Sequence, residues 1–221
     1  MKIGEMNIVI TGVNGALASY LLEYFSSQAA FVVGTVRQLA ETSKPKNNEA
    51  IIEMDPLDYY SIDEAIGWIN KESGDIHCWM NIIGGFAMGN HVEEGYDEWT
   101  YMYNTNFMTT LNCCQQILPH MKACGWGKII NMGSQMAMSG LPLAGPYCAS
   151  KLAVHSLTKT ISLENTNGVS CNAIIPGIID TPRNRRNMPD SDRDGWVSVE
   201  NIAIKIEEIL CSSKSGLLIE V

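Results

Sequence analysis

A hydroxyl at Ser134, a phenol at Tyr147 and an ammonium at Lys151 stand within one short stretch of this 221-residue chain. Residues 147–163, following Pro146, have the spacing of one long helix. Tyr147 and Lys151, four apart, therefore fall on one helix face. A lysine cation beside a phenol favours the phenolate, so the spacing predicts a Tyr147 pKa below its ordinary ~10. A group of that kind can give a proton to a carbonyl oxygen near neutral pH. Ser134 follows an apolar strand pattern at 127–132 and could reach the same point. A bare Tyr-x-x-x-Lys pair is also what any helix surface offers, so the chemistry depends on the elements that would position it.

Those elements alternate. Residues 6–11 are a short apolar run suited to a strand buried on both faces. The run enters Gly12-Val13-Asn14-Gly15-Ala16-Leu17-Ala18 and a helical pattern through Leu21, Leu22 and Phe25. Strand, glycine turn and helix make a phosphate cradle, with the backbone of Gly12, Asn14, Gly15, Ala16 and Leu17 as the expected contacts. Any tight strand-to-helix turn would look similar, because the spacing is Gly-x-x-Gly-x-x-Ala. A second strand, 31–36, ends at Val36, where an acid would hold an adenosine ribose, and Arg37 follows. That exchange favours the 2′-phosphate of NADP over NAD. A polar loop or a weak helix is expected at 38–48.

A third strand at 50–54 ends at Asp55, placed either near the adenine or as a helix N-cap. A helix at 60–71 and a strand at 76–83 follow, and Gly84-Gly85 marks a close backbone approach at the ligand crevice. Residues 86–95 read as a loop that could line a substrate pocket. A helix spans 98–124 with a break or kink expected at Pro119, and strands follow at 127–132 and 169–175. Pro176-Gly177 turns the last of these. The arginine-rich 180–193 reads as an exposed loop, in which Arg183, Arg185 or Arg186 could meet a substrate carboxylate. A helix at 199–211 and a strand at 217–221 close the chain. Strand and helix alternate throughout, so residues 1–221 form one α/β domain, a Rossmann-type doubly wound, mostly parallel sheet of seven strands.

The formal charge of −9 argues against nucleic acid or an anionic membrane as partner. No apolar run is long enough to span a bilayer, and the first residues lack a signal-peptide core. Seven scattered cysteines suggest reduced thiols and a cytoplasmic setting. Neither they nor His77, His91, His120 and His155 have metal-ligand spacing, so no metal is expected. Cys148 reads as a small buried helix residue and Asn81 as a tie between strands.

Taken together, Thr11-Gly12-x-x-Gly15-x-x-Ala18, Asp55, Asn81 with Gly84, Asn106, Ser134, Tyr147-x-x-x-Lys151 and Pro176-Gly177-x-x-x-Thr181 resemble the short-chain dehydrogenase/reductase family from Asn7 to Val221. The resemblance implies that Tyr147 transfers a proton and Lys151 holds the nicotinamide ribose. It implies that Ser134 hydrogen-bonds the substrate oxygen and Asn106 completes a proton relay. Pro176, Gly177 and Thr181 would orient the nicotinamide, and the two long helices would form a dimer or tetramer interface. In the family's usual glycine spacing, Ala16 and Ala18 occupy the second and third glycine places. Residues 84–90, 180–189 and the short C-terminal end are similar to quinonoid dihydropteridine reductases, from which Val36 and Ser134 depart. The expected function is NADPH-dependent reduction of a small-molecule carbonyl or conjugated imine. The alternatives are dihydropteridine reduction and a non-catalytic NADP-binding sensor or scaffold.

Overall fold

In the computed structural model, which describes residues 1–39, 48–90, 92, 93 and 95–221, a short apolar run occupies the interior of a sheet. β1 (Asn7–Thr11) is buried along its whole length. Ile8 and Ile10 pack on one face and Val9 on the other, the two-residue alternation of a strand with a core on each side. Its neighbours are β2 (Phe31–Val36) and β4 (Cys78–Asn81). β3 (Glu49–Glu53) lies outside β2, while β5 (Gly127–Met132), β6 (Val169–Ile175) and β7 (Leu218–Glu220) extend the far side. The order is β3-β2-β1-β4-β5-β6-β7. The sheet is more uniform than expected: every strand pairing among the described residues is parallel.

Parallel neighbours need crossovers, and the helices that make them cover both faces. α1 (Ala16–Ser26) brings Leu21 and Phe25 to the Ile8 face, where Ile202 and Ile206 of α8 (Val199–Leu210) join them. On the Val9 face lie Ile62 and Ile66 of α2 (Tyr59–Ser73), Ile117 of α4 (Thr109–Cys124) and Ile161 of α6 (Gly145–Glu164). Each such side chain contributes about 1.5–3 kcal/mol by leaving water. Asp58 and Ser198 cap α2 and α8 by accepting from the N–H groups of Tyr60 and Asn201.

Four local expectations change. The helix assigned to 98–124 is α3 (Tyr96–Tyr103), a π-helical turn (Asn104–Met108) and α4. Pro119 does not break α4, because Ile117 before it and Met121 after it are both fully buried and their packing offsets one missing backbone bond. The 180–193 segment is not all loop: Thr181 and Pro182 open a short helix, α7 (Pro182–Asn187). α5 (Met136–Ser139) was not foreseen, being too short to show a period. Of the polar loop or weak helix expected at 38–48, residues 40–47 lie outside the described residues, as does His91.

Candidate active site

The site lies along the C-terminal ends of the strands, in two parts. The first begins where β1 ends. Gly12 has φ +75°, and a Cβ there would sit 2.6 Å from Ile83 Cγ1, so only glycine fits without displacing Ile83. The Gly15 N–H donates to Gly12 O at 2.9 Å and closes the turn. Asn14, Gly15 and Ala16 stand exposed at the start of α1, where the first helical N–H groups have no intrahelical acceptor. Leu17 is buried in the core, so its side chain cannot serve, and only its backbone belongs to the turn.

Asn14 and the exposed Arg37 line a cavity of about 590 Å³ together with Gln38, Leu39 and Glu53. Glu53 was not anticipated. The β2–β3 register sets it opposite Val36, and this signal was available only once the strands were paired. Asp55 does not cap α2, since Asp58 does; its Oδ1 accepts from Leu57 N at 2.9 Å in a turn at the end of β3. A helix N-terminus with free N–H groups and a glycine at positive φ fit the pyrophosphate of a dinucleotide.

The second part is built from side chains. Ser134 is buried, and its side chain acts on the half-buried Tyr147 phenol to lower its pKa. Lys151 Nζ is fully buried and donates to Met132 O at 2.7 Å. Asn106, in the π turn, is also fully buried: its Oδ1 accepts from Gly85 N at 2.8 Å and its Nδ2 donates to Ser150 Oγ at 2.9 Å. The exposed Gly84 shows how closely these groups converge, for a Cβ there would lie 3.1 Å from both Asn106 Oδ1 and Lys151 Nζ. Single π turns inside helices frequently mark functional sites, and this one turns Asn106 inward.

The expected lowering of the Tyr147 pKa is reversed. Burial raises it above its ordinary value of 10, and the Ser134 side chain offsets only part of that. Helix spacing brought Lys151 to the right face, yet its ammonium is held by a backbone carbonyl, and burial lowers its own pKa to about 8. The phenol thus keeps its proton through neutral pH.

His155 escaped the sequence reading. Its Nε2 accepts from the Ser134 N–H at 3.1 Å, and burial pushes its pKa down to about 4, Lys151 and Lys159 adding to the effect. A Cβ on Gly133 would come 2.3 Å from that nitrogen, so the glycine before Ser134 makes room for the ring. The signal was the helix period: Tyr147, Lys151 and His155 recur every four residues.

Asn81 is the strand tie it was read to be, donating to Asn131 Oδ1 at 2.9 Å, and Cys148 is buried. The segment after β6 is held by its own bonds: Pro176 O accepts from Gln135 N, Gly177 N donates to Val221 O, and Thr181 Oγ1 caps α7 by accepting from Asn184 N at 3.2 Å. Of the three arginines there, Arg185 is paired through two nitrogens with Asp180 at 2.6 Å. Arg183 and Arg186 are exposed. Among the described residues, no cluster of His, Cys, Asp or Glu could hold a metal ion, and no helix is long and apolar enough to cross a membrane.

Residues 6–192 match the family model of the short chain dehydrogenases. The chain belongs to that family. Among its short-chain dehydrogenase relatives is 3-ketodihydrosphingosine reductase of Bacteroides thetaiotaomicron, 32% identical over 71% of this chain and 57% of that protein's length. The chain therefore matches little more than half of that relative. An NADP- and tartrate-bound gluconate 5-dehydrogenase from Burkholderia cenocepacia superposes with a TM-score of 0.88 at 22% identity, over 100% of this chain and 94% of that one. ElxO with NADP bound gives 0.87 at 24% identity, over 100% and 97%. At these identities the two structures establish the fold. The chain is thus a short-chain dehydrogenase/reductase with the nicotinamide-binding architecture of that family.

Proposed function

We propose that the protein reduces a small-molecule carbonyl, or a conjugated carbonyl or imine, with NADPH. Bound in the crevice, NADPH would supply the hydride. The observation that carries the reading is the meeting of the Lys151 ammonium and the Asn106 amide beside Gly84, one helical turn along α6 from a Tyr147 phenol that the buried Ser134 acts on. A phenol that keeps its proton is suited to donating it as the carbonyl oxygen becomes an alkoxide, with Ser134 orienting that oxygen. Lys151 would hold the nicotinamide ribose while the Gly12–Leu17 turn takes the pyrophosphate and Arg37 a 2′-phosphate. Asp55, Gly84, Pro176, Gly177 and Thr181 would border the adenine and nicotinamide ends. The role of Asn106 in a proton relay rests on its burial beside Lys151. A homodimer or homotetramer is part of the same reading, supported by the exposed Tyr101 and Leu152 on α3 and α6.

The test is Tyr147→Phe. Turnover with NADPH should fall about 10²–10⁴-fold while NADPH still binds, and both proteins should bind NADPH more tightly than NADH. Unchanged turnover would remove Tyr147 from its role. Tighter NADH binding would show that Glu53, not Arg37, decides the cofactor.

A further inference from the structure

We propose that the substrate is an uncharged apolar ketone, seated on a rim of aliphatic and aromatic side chains around the Tyr147 phenol; this rests on the carbonyl-reductase reading above.

Three segments adjoin the start of α6, which carries that phenol. Phe86, from the loop after β4, packs edge-on against the Tyr147 ring with centroids 4.9 Å apart. The same loop is tied to the one before α6 by a bond from Gly89 N to Leu143 O at 2.8 Å. α5 adjoins the start of α6, where Cys148 Sγ donates to Met136 O at 3.6 Å. Each segment holds large apolar side chains in water: Phe86 is 47% exposed, Met88 55%, Met138 58% and Leu143 55%. Single exposed apolar residues are ordinary, but four on three linked segments, one of them packed against the Tyr147 ring, make a surface suited to an apolar occupant.

Leu143 adds an independent observation. It has φ +63°, and it is the one residue other than glycine at positive φ among those described. A branched aliphatic residue is unfavourable in that conformation, and strain of this kind collects at ligand-contacting positions. Asparagine or glycine would relieve it, yet the chain keeps a leucine whose side chain faces solvent.

Two of the cations near the site are already committed. Arg185 is committed to Asp180, Lys151 is buried against Met132 O, and the loop that carries Phe86 also bears the Glu93 carboxylate, held by Asn90. Arg183 and Arg186 are exposed on α7, but no hydrogen bond or ion pair among the described residues ties either to the three segments that carry the apolar side chains. An alkyl chain would bury area on all three segments at once.

The test uses unbranched methyl ketones of five to eight carbons against the 2-oxo acids of the same lengths, with NADPH. kcat/KM should climb about fourfold per added methylene, the factor expected for burying one such group, and the 2-oxo acids should trail at every length. Leu143→Asn, which keeps a residue tolerant of positive φ, and Met138→Lys should each flatten the climb to less than about twofold. Calorimetric titration of the same ketones into Tyr147→Phe with NADPH bound should show the same chain-length gain without turnover. A flat series, or a preference for 2-oxo acids, overturns the proposal, and so does calorimetry without chain-length gain if no ketone is reduced. Failure of the underlying reading is separate: Tyr147→Phe would then turn over substrate like the wild type, whatever the slope.

Discussion

The half of the sheet around β1–β3 and the half around β4–β6 solve different problems with different materials. In the first, the crevice is shaped by backbone: a glycine at positive φ, a turn closed by Gly15, and a helix start whose N–H groups are free. In the second it is shaped by buried polar side chains that hold one another. Asn81 donates to Asn131, Asn131 to Thr158, Asn106 to Ser150 and the Ser134 N–H to His155, each between 2.9 and 3.1 Å. A phosphate group can be held by any well-shaped backbone cradle. A proton donor must be held to within a fraction of an ångström, and interlocked side chains supply that.

The comparison breaks most visibly at Asn106. Asn106→Leu leaves the Gly85 amide without its acceptor in the protein interior. It should lower stability by about 2–4 kcal/mol in urea denaturation and reduce kcat at least tenfold in the folded fraction. A variant with wild-type stability and kcat would mean that the polar lattice is incidental. Gly12→Ala probes the other half. Positive φ and the overlap with Ile83 Cγ1 should cost about 1–3 kcal/mol. NADPH affinity should fall while the pH dependence of turnover stays unchanged. A kcat loss with intact cofactor binding would merge the two halves into one.

The smallest expected effect is a pH dependence located in the second half. His155 has its folded pKa lowered to about 4 from 6.5. Between those values the unfolded chain binds the proton and the folded one does not, so stability falls as pH drops through that window. Unfolding midpoints at pH 7 and pH 5 should differ by about 1–2 kcal/mol in the wild type, and by less in His155→Gln. Lys151, lowered to about 8, loses stability between 10.5 and that value as pH falls, above the window in question. Equal losses in both proteins would point to another group.

Every strand and most helices were legible in the chain, because each buries an apolar face whose period is written in residue types. β1 shows this in Ile8, Val9 and Ile10, and α8 in Ile202, Ile206 and Ile209. What escaped was set by contacts between distant segments. Glu53 enters the cavity beside Asn14 and Arg37 through a strand register, and His155 finds Ser134 across 21 residues. The direction of the Tyr147 shift depended on where the Lys151 ammonium is anchored, which helix spacing does not specify. The π turn at Asn104–Met108 has no period of its own, so the surrounding helical pattern ran straight through it.

The strand order has a consequence for synthesis. β1 pairs with β2 through Ile8 and Val32, but its other edge waits for Cys78 of β4. A nascent chain leaving the ribosome therefore carries this strand, wholly buried in the finished fold, half-covered until some seventy further residues have emerged. During that interval the uncovered edge of β1 is the place where a chaperone, or a neighbouring chain, would first take hold.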